Sequence, residues 1–246
     1  MLTKSTDGGI NFGQPTLVSS LTQPTQVALS IDMVVIGNTV YLVWSENIAG
    51  VEEETEIFFS MSVDGGNIFS KKLNLSLSDG VDSLDPAIAV YRNKIHVVWD
   101  ESFVSPNSEI LYRRSLDNGQ TFGPTKNLSN SPIDSDSPTI AVSKNQLYVA
   151  WSDGDNSQVG SFEIVITKSK NDGTTFDAIQ TISNNPGDSL FPNLAVSEDN
   201  IYIAWAGFPG GIFFIRSTDS AVTFGATTIV VPDANSPSIA VSQNIA

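Results

Sequence analysis

The chain has 246 residues, 27 of them acidic and 12 basic, with one histidine, no cysteine and a net charge of −15. That charge excludes a phosphate-binding surface for nucleic acid and disfavours an anionic membrane, since both need clustered Lys and Arg. The missing cysteines exclude a disulfide framework and a thiolate metal site, no apolar run approaches the roughly 18 residues that span a bilayer, and no leader segment is visible.

From the N-terminus the first readable element is a turn, STDGGINF, starting at Ser5. It returns as SVDGGNIF at Ser62, SLDNGQTF at Ser115, SKNDGTTF at Ser169 and STDSAVTF at Ser217, at spacings of 57, 53, 54 and 48. Between the turns a second pattern keeps step: IDMVVIGNTVYLVWSE, DPAIAVYRNKIHVVWDE, SPTIAVSKNQLYVAWSD and FPNLAVSEDNIYIAWAG. Its tryptophans, Trp44, Trp99, Trp151 and Trp205, lie 55, 52 and 54 apart. Each unit therefore reads as four short strands. In the second unit, PAIAV is strand A, IHVVW strand B, EILYRRS strand C and TFGPTKNLS strand D. Period-two alternation in Val- and Ile-rich runs gives strands. Four antiparallel strands per unit of about 50 residues is the signature of a β-propeller blade.

The turn has its own physics. The Asp carboxylate accepts backbone N–H groups within its loop, Gly at the fifth position permits positive φ, and Phe at the eighth returns to the core. The turn residues are Ser5, Asp7, Gly9 and Phe12; Ser62, Asp64, Gly66 and Phe69; Ser115, Asp117, Gly119 and Phe122; Ser169, Asn171, Gly173 and Phe176; and Ser217, Asp219 and Phe224. Asn171 replaces Asp in the fourth copy, and Ala221 replaces Gly in the fifth. Ser-x-Asp-x-Gly-x-Thr-Phe resembles the Asp box, the repeat of bacterial neuraminidases and related propellers, and the resemblance covers essentially the whole chain. It implies an all-β propeller; in that family the boxes are structural turns of enzymes and non-enzymes alike.

The expected blades span 27–77, 84–129, 137–183 and 190–231, with a partial blade from 1–18 plus 236–246. Two closures remain open: five blades with the fifth split between the termini, or a fragment of a propeller with six or more blades. In either, an unfilled strand position exposes edges that could pair with another chain.

Blade topology assigns the D-to-A and B-to-C loops to one face, here the top, and places the Asp boxes on the other. Most carboxylates fall in top loops and none of the basic residues does, so an acidic top face is expected. Solubility is the bland account of it. The sharper account is Ca²⁺, a hard cation suited to carboxylates, with Asp134, Asp136, Asp153 and Asp155 as its candidate ligands. Asp32, Asp85, Glu46, Asp100 and Glu101 form the candidate ligand face, with Trp44, Trp99, Trp151 and Trp205 at the ends of strand B. Packing between blades is the default role of the tryptophans, and stacking on a sugar the alternative.

Sialidase chemistry, which the resemblance invites, needs three convergent arginines for the sialic acid carboxylate. It also needs a Tyr nucleophile backed by Glu, and an Asp acid/base. The family's Arg-Ile-Pro motif is absent. The four arginines, Arg92, Arg113, Arg114 and Arg216, stand in a turn or directly before Asp boxes. No catalytic residue is transferred. His96 occupies the position of Tyr41, Tyr148 and Tyr202 and reads as a packed strand residue. The Asn-Leu-Ser sequons at Asn74 and Asn127 recur as the end of strand D, so repetition explains them. The expected function is non-catalytic recognition of a glycan or protein through the acidic face. The alternatives are a sialidase-like glycoside hydrolase and a structural module of a larger surface assembly. Extracellular or cell-surface location is what the resemblance implies.

Overall fold

The computed structural model describes residues 1–18, 26–48, 54–78, 80–102, 107–156, 158, 160–208 and 210–241. The described residues contain strands and no helix, and so no helix long and apolar enough to cross a membrane. The first sheet consists of β1 (Ala28–Ile36), β2 (Thr39–Asn47), β3 (Thr55–Ser62) and β4 (Leu73–Asn74). The second consists of β5 (Asp82–Tyr91), β6 (Lys94–Ser102), β7 (Ser108–Ser115) and β8 (Lys126–Asn127). The third holds β9 (Asp134–Ser143), β10 (Gln146–Gly154), β11 (Glu163–Ser169) and β12 (Gln180–Thr181). The fourth holds β13 (Asp188–Ser197), β14 (Asn200–Phe208), β15 (Gly211–Ser217) and β16 (Thr228–Val231). Strands pair in chain order within each sheet, as blades require. The all-β fold of four-stranded antiparallel blades expected from the repeat is thus present in four copies.

Two details differ from the sequence reading. Strand D shrinks to two residues in the first three blades. In the second blade Gly123 and Pro124 occupy the front of that run, and proline brings no N–H to a ladder. The strand-A sequence PSIAV near the C-terminus forms no strand, although Ile239 N–H donates to Asn193 Oδ1 at 3.0 Å. Residues 242–246 of the expected partial blade lie outside the described residues.

The chain divides into two compact units, Met1–Pro86 and Ala87–Ala246. In the first, Val40, Leu42, Trp44 and Phe58 form a core against which Leu2 and Phe69 pack, and a lone bridge pairs Leu2 with Thr16. In the second, successive blades pack face to face. Val98, Ile110 and Tyr112 meet Leu147, Val149 and Trp151; then Tyr148, Ala150, Ile164 and Ile166 meet Ile201, Ile203 and Trp205.

The repeated turns hold themselves by one hydrogen-bond pattern. The Ser hydroxyl donates to the Asp carboxylate (2.7 Å in Ser115–Asp117) and accepts the fifth residue's N–H (2.8 Å from Gly119). The carboxylate accepts the seventh residue's N–H, and the Thr hydroxyl there donates to its second oxygen at 2.6 Å. Asn171 keeps the scheme by reversing one bond: its Nδ2 donates to the Thr175 hydroxyl at 2.9 Å. These donors hold the Asp117 carboxyl at about 2 and push Asp219 below the ordinary carboxylate range.

His96 lies in the core, 1% exposed, with Nδ1 2.8 Å from the Tyr112 hydroxyl. Burial lowers its pKa from 6.5 to about 4, opposed by nearby Asp172 and assisted by Arg114 and Lys94. The folded value lies below the unfolded one. The contribution is therefore fully present above pH 6.5 and is lost as pH falls through 4. Acidification across this window should cost about 3 kcal/mol. Urea unfolding at stepped pH should show that slope in the wild type and a flatter one in His96→Phe. The Asp turns act in a separate window, because their depressed carboxyls lose their contribution only below about pH 4.

Candidate functional site

The upper ends of the blades carry the acidic loops, and most of their carboxylates serve the fold. Two residues after three of the tryptophans stands a carboxylate that accepts the indole N–H. The distances are 2.9 Å for Trp44–Glu46, 3.3 Å for Trp99–Glu101 and 3.3 Å for Trp151–Asp153. In the fourth blade that position is Gly207, and Asn185 Oδ1 accepts the Trp205 N–H at 3.0 Å instead. All four tryptophans are at most 3% exposed, so packing is their role and no indole face is open to a sugar.

A second layer repeats at the start of strand C. Glu56, Glu109 and Glu163 accept from the hydroxyls of Ser76, Ser129 and Ser183. Those hydroxyls accept the N–H groups of Ile57, Ile110 and Ile164 at 2.9, 2.9 and 2.7 Å. Ser76 and Ser129 are the sequon serines, so repetition of this bond accounts for both Asn-Leu-Ser runs. Burial raises the Glu56 carboxyl above its ordinary range. A third layer caps the B-to-C loops: Asp82 accepts from Thr55 N–H, Asp134 from Ser108 N–H, and Asp188 from Gly160 and Phe162 N–H.

The four carboxylates considered for Ca²⁺ already meet protein donors. Asp134 accepts from Asn156 at 2.6 Å, Asp153 from the Ser135 hydroxyl at 2.6 Å and Asp155 from Gln158 at 2.8 Å; Asp136 also has a partner. Among the described residues no group of three or more His, Asp or Glu comes together to hold a metal.

What differs between blades is the head of strand A. Asp85, Ser137 and Phe191 each precede a proline and each has positive φ, at 44°, 56° and 55°. A non-glycine residue costs about 1–3 kcal/mol in such a conformation and persists where its surroundings impose it. At Ser137 and Phe191 the preceding blade does so. Asp100 Oδ2 accepts the Ser137 N–H at 3.2 Å, and the Ser152 hydroxyl accepts the Phe191 N–H at 3.2 Å. Both acceptors directly follow a strand-B tryptophan. The bulge puts the register shift at this point in β9 and β13. Asp85 is exposed and accepts from the Ser30 hydroxyl at 2.5 Å, and Phe191 is 50% exposed. Asp32 and Asp136 are partly exposed near the same strand ends, whereas Glu46, Asp100 and Glu101 are buried. Ser137 and Phe191 were missed from sequence, because a residue before proline is expected to be extended and the repeated X-Pro gives no sign of positive φ.

The arginines lie elsewhere. Arg113 donates to the carbonyls of Gly123 and Phe122, and Arg114 to the carbonyl of Asp172 and the hydroxyl of Thr174. Arg216 donates to Asn200 and stands over the Tyr202 ring, and Arg92 stands over the Tyr91 ring.

No protein-family model matches the chain, and no curated protein matches it in sequence. Solved structures do match. A Trypanosoma rangeli sialidase mutant displaying trans-sialidase activity superposes with a TM-score of 0.61 at 16% identity, over 84% of this chain and 37% of that one. The intramolecular trans-sialidase of Ruminococcus gnavus gives 0.63 at 10% identity, over 83% of this chain and 71% of that one. The NanB sialidase of Streptococcus pneumoniae gives 0.66 at 12% identity, over 90% and 55%. The chain thus spans little more than a third of the trypanosomal sialidase it matches. At such identities the likeness is one of fold: the four blades resemble those of sialidase β-propellers.

Proposed function

We propose that this Asp-box propeller is a non-catalytic recognition module, acting outside the cell or at its surface, that binds a neutral glycan or a protein through the strand-A heads Ser137 and Phe191 of its second unit. The observation that carries the reading is the contrast at Asp85, Ser137 and Phe191. One strained backbone is kept in three blades, while the side chain changes from charged to hydroxyl to aromatic. A geometry kept while its chemistry varies is what a binding surface requires, and strain is stored where function repays it. Two further points support the reading. The guanidinium groups of Arg113, Arg114 and Arg216 are engaged with turns or with their own blade. The net charge of −15 disfavours an anionic sugar. The glycan class is favoured by neighbours whose complexes hold sialic acid or oseltamivir carboxylate.

The test is an array of neutral and sialylated oligosaccharides, run beside turnover of a sialyl substrate. Binding to neutral glycans should appear and fall roughly tenfold or more in Phe191→Ala, with no turnover. Sialyl turnover that an arginine substitution abolishes would establish the hydrolase instead.

A further inference from the structure

We propose that the seam between the second and third blades is an acid-sensitive device, with His96 as its trigger and the strand-A head at Ser137 as the part it frees. The position of His96 holds Tyr148 in the third blade and Tyr202 in the fourth, and His96 is the one histidine of the chain. It lies 1% exposed, with Nδ1 2.8 Å from the Tyr112 hydroxyl. That hydroxyl is where the third blade touches. Gly173 stands so close that a Cβ on it would lie 1.8 Å from the hydroxyl oxygen, and Phe176 meets the Tyr112 ring edge-on at 5.2 Å.

Neutral imidazole accepts the Tyr112 hydroxyl proton at Nδ1, whereas imidazolium donates there. Once His96 is charged, the hydroxyl must turn its proton away from the ring, toward the turn packed on it. The buried charge also needs water or an available counter-charge. The charged groups facing it are Lys94 on its own strand, Arg114 opposite it on β7, and Asp172 of the third blade's turn. The two cations repel an imidazolium. Asp172 attracts it but is already paired with Lys94 at 2.6 Å. Tyr112 stays protonated, because burial raises its pKa. Parting the blades hydrates the imidazolium and gives the hydroxyl room. Holding them together are the bonds from Arg114 and Lys126 to the carbonyls of Asp172, Gly173 and Thr174.

The same seam reaches the strand-A heads. Val98, Ile110 and Tyr112 pack on Leu147, Val149 and Trp151 along its middle. At its upper end Asp100 Oδ2 accepts the Ser137 N–H at 3.2 Å, the bond that imposes the positive φ of Ser137. The next seam is the built-in comparison. There the Phe191 N–H crosses to the Ser152 hydroxyl at 3.2 Å, and the residue at the His96 position is Tyr148, whose hydroxyl donates to Gln146 at 2.7 Å. Acid therefore frees one head and spares the other. The sign follows from His96, whose folded pKa of about 4 lies below 6.5. Its contribution to closure is complete above pH 6.5 and is lost as pH falls through 4. If the recognition reading holds, a ligand spanning both heads is released in acid. The seam needs no ligand, so it is tested without one.

The experiment is amide hydrogen exchange of the full chain, followed at Ser137 and Phe191 from neutral pH down to about pH 4 and corrected for intrinsic rates. Exchange at Ser137 should accelerate roughly tenfold by about pH 5.5 and roughly a hundredfold at about pH 4, while Phe191 changes a few-fold at most. The early onset is diagnostic, since an ordinary carboxylate is still almost fully ionised at about pH 5.5. His96→Gln keeps an acceptor for the Tyr112 hydroxyl, carries no proton in this range and leaves Asp100 in place. It should hold Ser137 at its neutral-pH protection down to about pH 5.5. Equal acceleration at Ser137 and Phe191 in the wild type would overturn the proposal. So would a Ser137 response that is missing at about pH 5.5, or one that His96→Gln leaves unchanged. Should His96→Gln fail to fold, the wild-type contrast between the two amides decides alone.

Discussion

Gly173→Ala should lower stability by about 3 kcal/mol or more, from overpacking in a filled core added to a strained backbone. Gly173 has φ +72°, and a Cβ there would lie 1.8 Å from the Tyr112 hydroxyl and 2.6 Å from its Cζ. Neither group has room to move. Tyr112 is 1% exposed, bonded to His96 at 2.8 Å and held edge-on by Phe176. Gly173 is itself pinned, its N–H to the Ser169 hydroxyl at 2.9 Å and its carbonyl to Lys126 at 2.9 Å. The turn cannot back away from the tyrosine without breaking the contact between the second and third blades. Gly9→Ala is the control. It has φ +89° but nothing within 4 Å of a new Cβ, so only the backbone cost of about 1 kcal/mol applies. Ala221 shows that this cost alone is tolerable, since it occupies the same turn position at φ 56°. Thermal melts should therefore place Gly173→Ala roughly 6–12 °C below wild type, and Gly9→Ala only a few degrees below. Equal shifts would mean that the Tyr112 contact is not what restricts the position.

The fold was legible because its information is local and repeated. A turn of eight residues closes on its own first, third and fifth residues, and it does so five times even where Asn171 replaces Asp and Ala221 replaces Gly. The tryptophans marked strand B for the same reason, although each strand runs three residues past its tryptophan instead of ending there. The acidic face was legible only in part. Counting charges by loop identified the carboxylates, but their acceptor roles depend on partners 18 to 28 positions away, as in Asp153–Ser135 and Asp188–Gly160. Glu46 and Glu101 accept from an indole only two residues back, but their place in the loops reads as a ligand face, and their burial depends on the packed blades. The strand-A heads were hidden for another reason. Positive φ is imposed by the neighbouring blade, through Asp100 and Ser152, on residues as different as Ser137 and Phe191. Composition carries no trace of it. The basic residues were read as belonging to flanks and lower turns. Four of them, Lys4, Arg114, Lys126 and Lys168, donate to a carbonyl of the next turn, a contact that emerges only when two blades are placed side by side.

Trp151→Ala should be the most damaging substitution at the upper end, and its comparison with Trp151→Phe separates packing from polarity. Trp151 is fully buried among Val98, Ile110, Tyr112, Leu147, Val149 and Val165. Truncating a buried tryptophan removes its transfer free energy and leaves a void that rigid neighbours fill only partly, costing about 3–5 kcal/mol. Strand β10 pairs with β11 in unbroken register through Trp151, and the bulge lies only on the β9 side, so collapse is restricted and the upper part of that range applies. Phenylalanine restores most of the volume and removes the indole N–H from Asp153. Asp153 keeps its bond from the Ser135 hydroxyl at 2.6 Å, so the loss there is a single hydrogen bond, about 1 kcal/mol. Urea unfolding should thus rank wild type, Trp151→Phe and Trp151→Ala in that order, with the larger gap between the two variants. If the two variants lost equal stability, the indole–carboxylate bond would outweigh the inter-blade packing, and the acidic upper ends would be a polar keystone of the fold. Should the expected order hold, the blades are held apart and together by their apolar faces. The strand-A heads, resting on that packed layer, can then change their side chains from blade to blade without cost to the scaffold beneath.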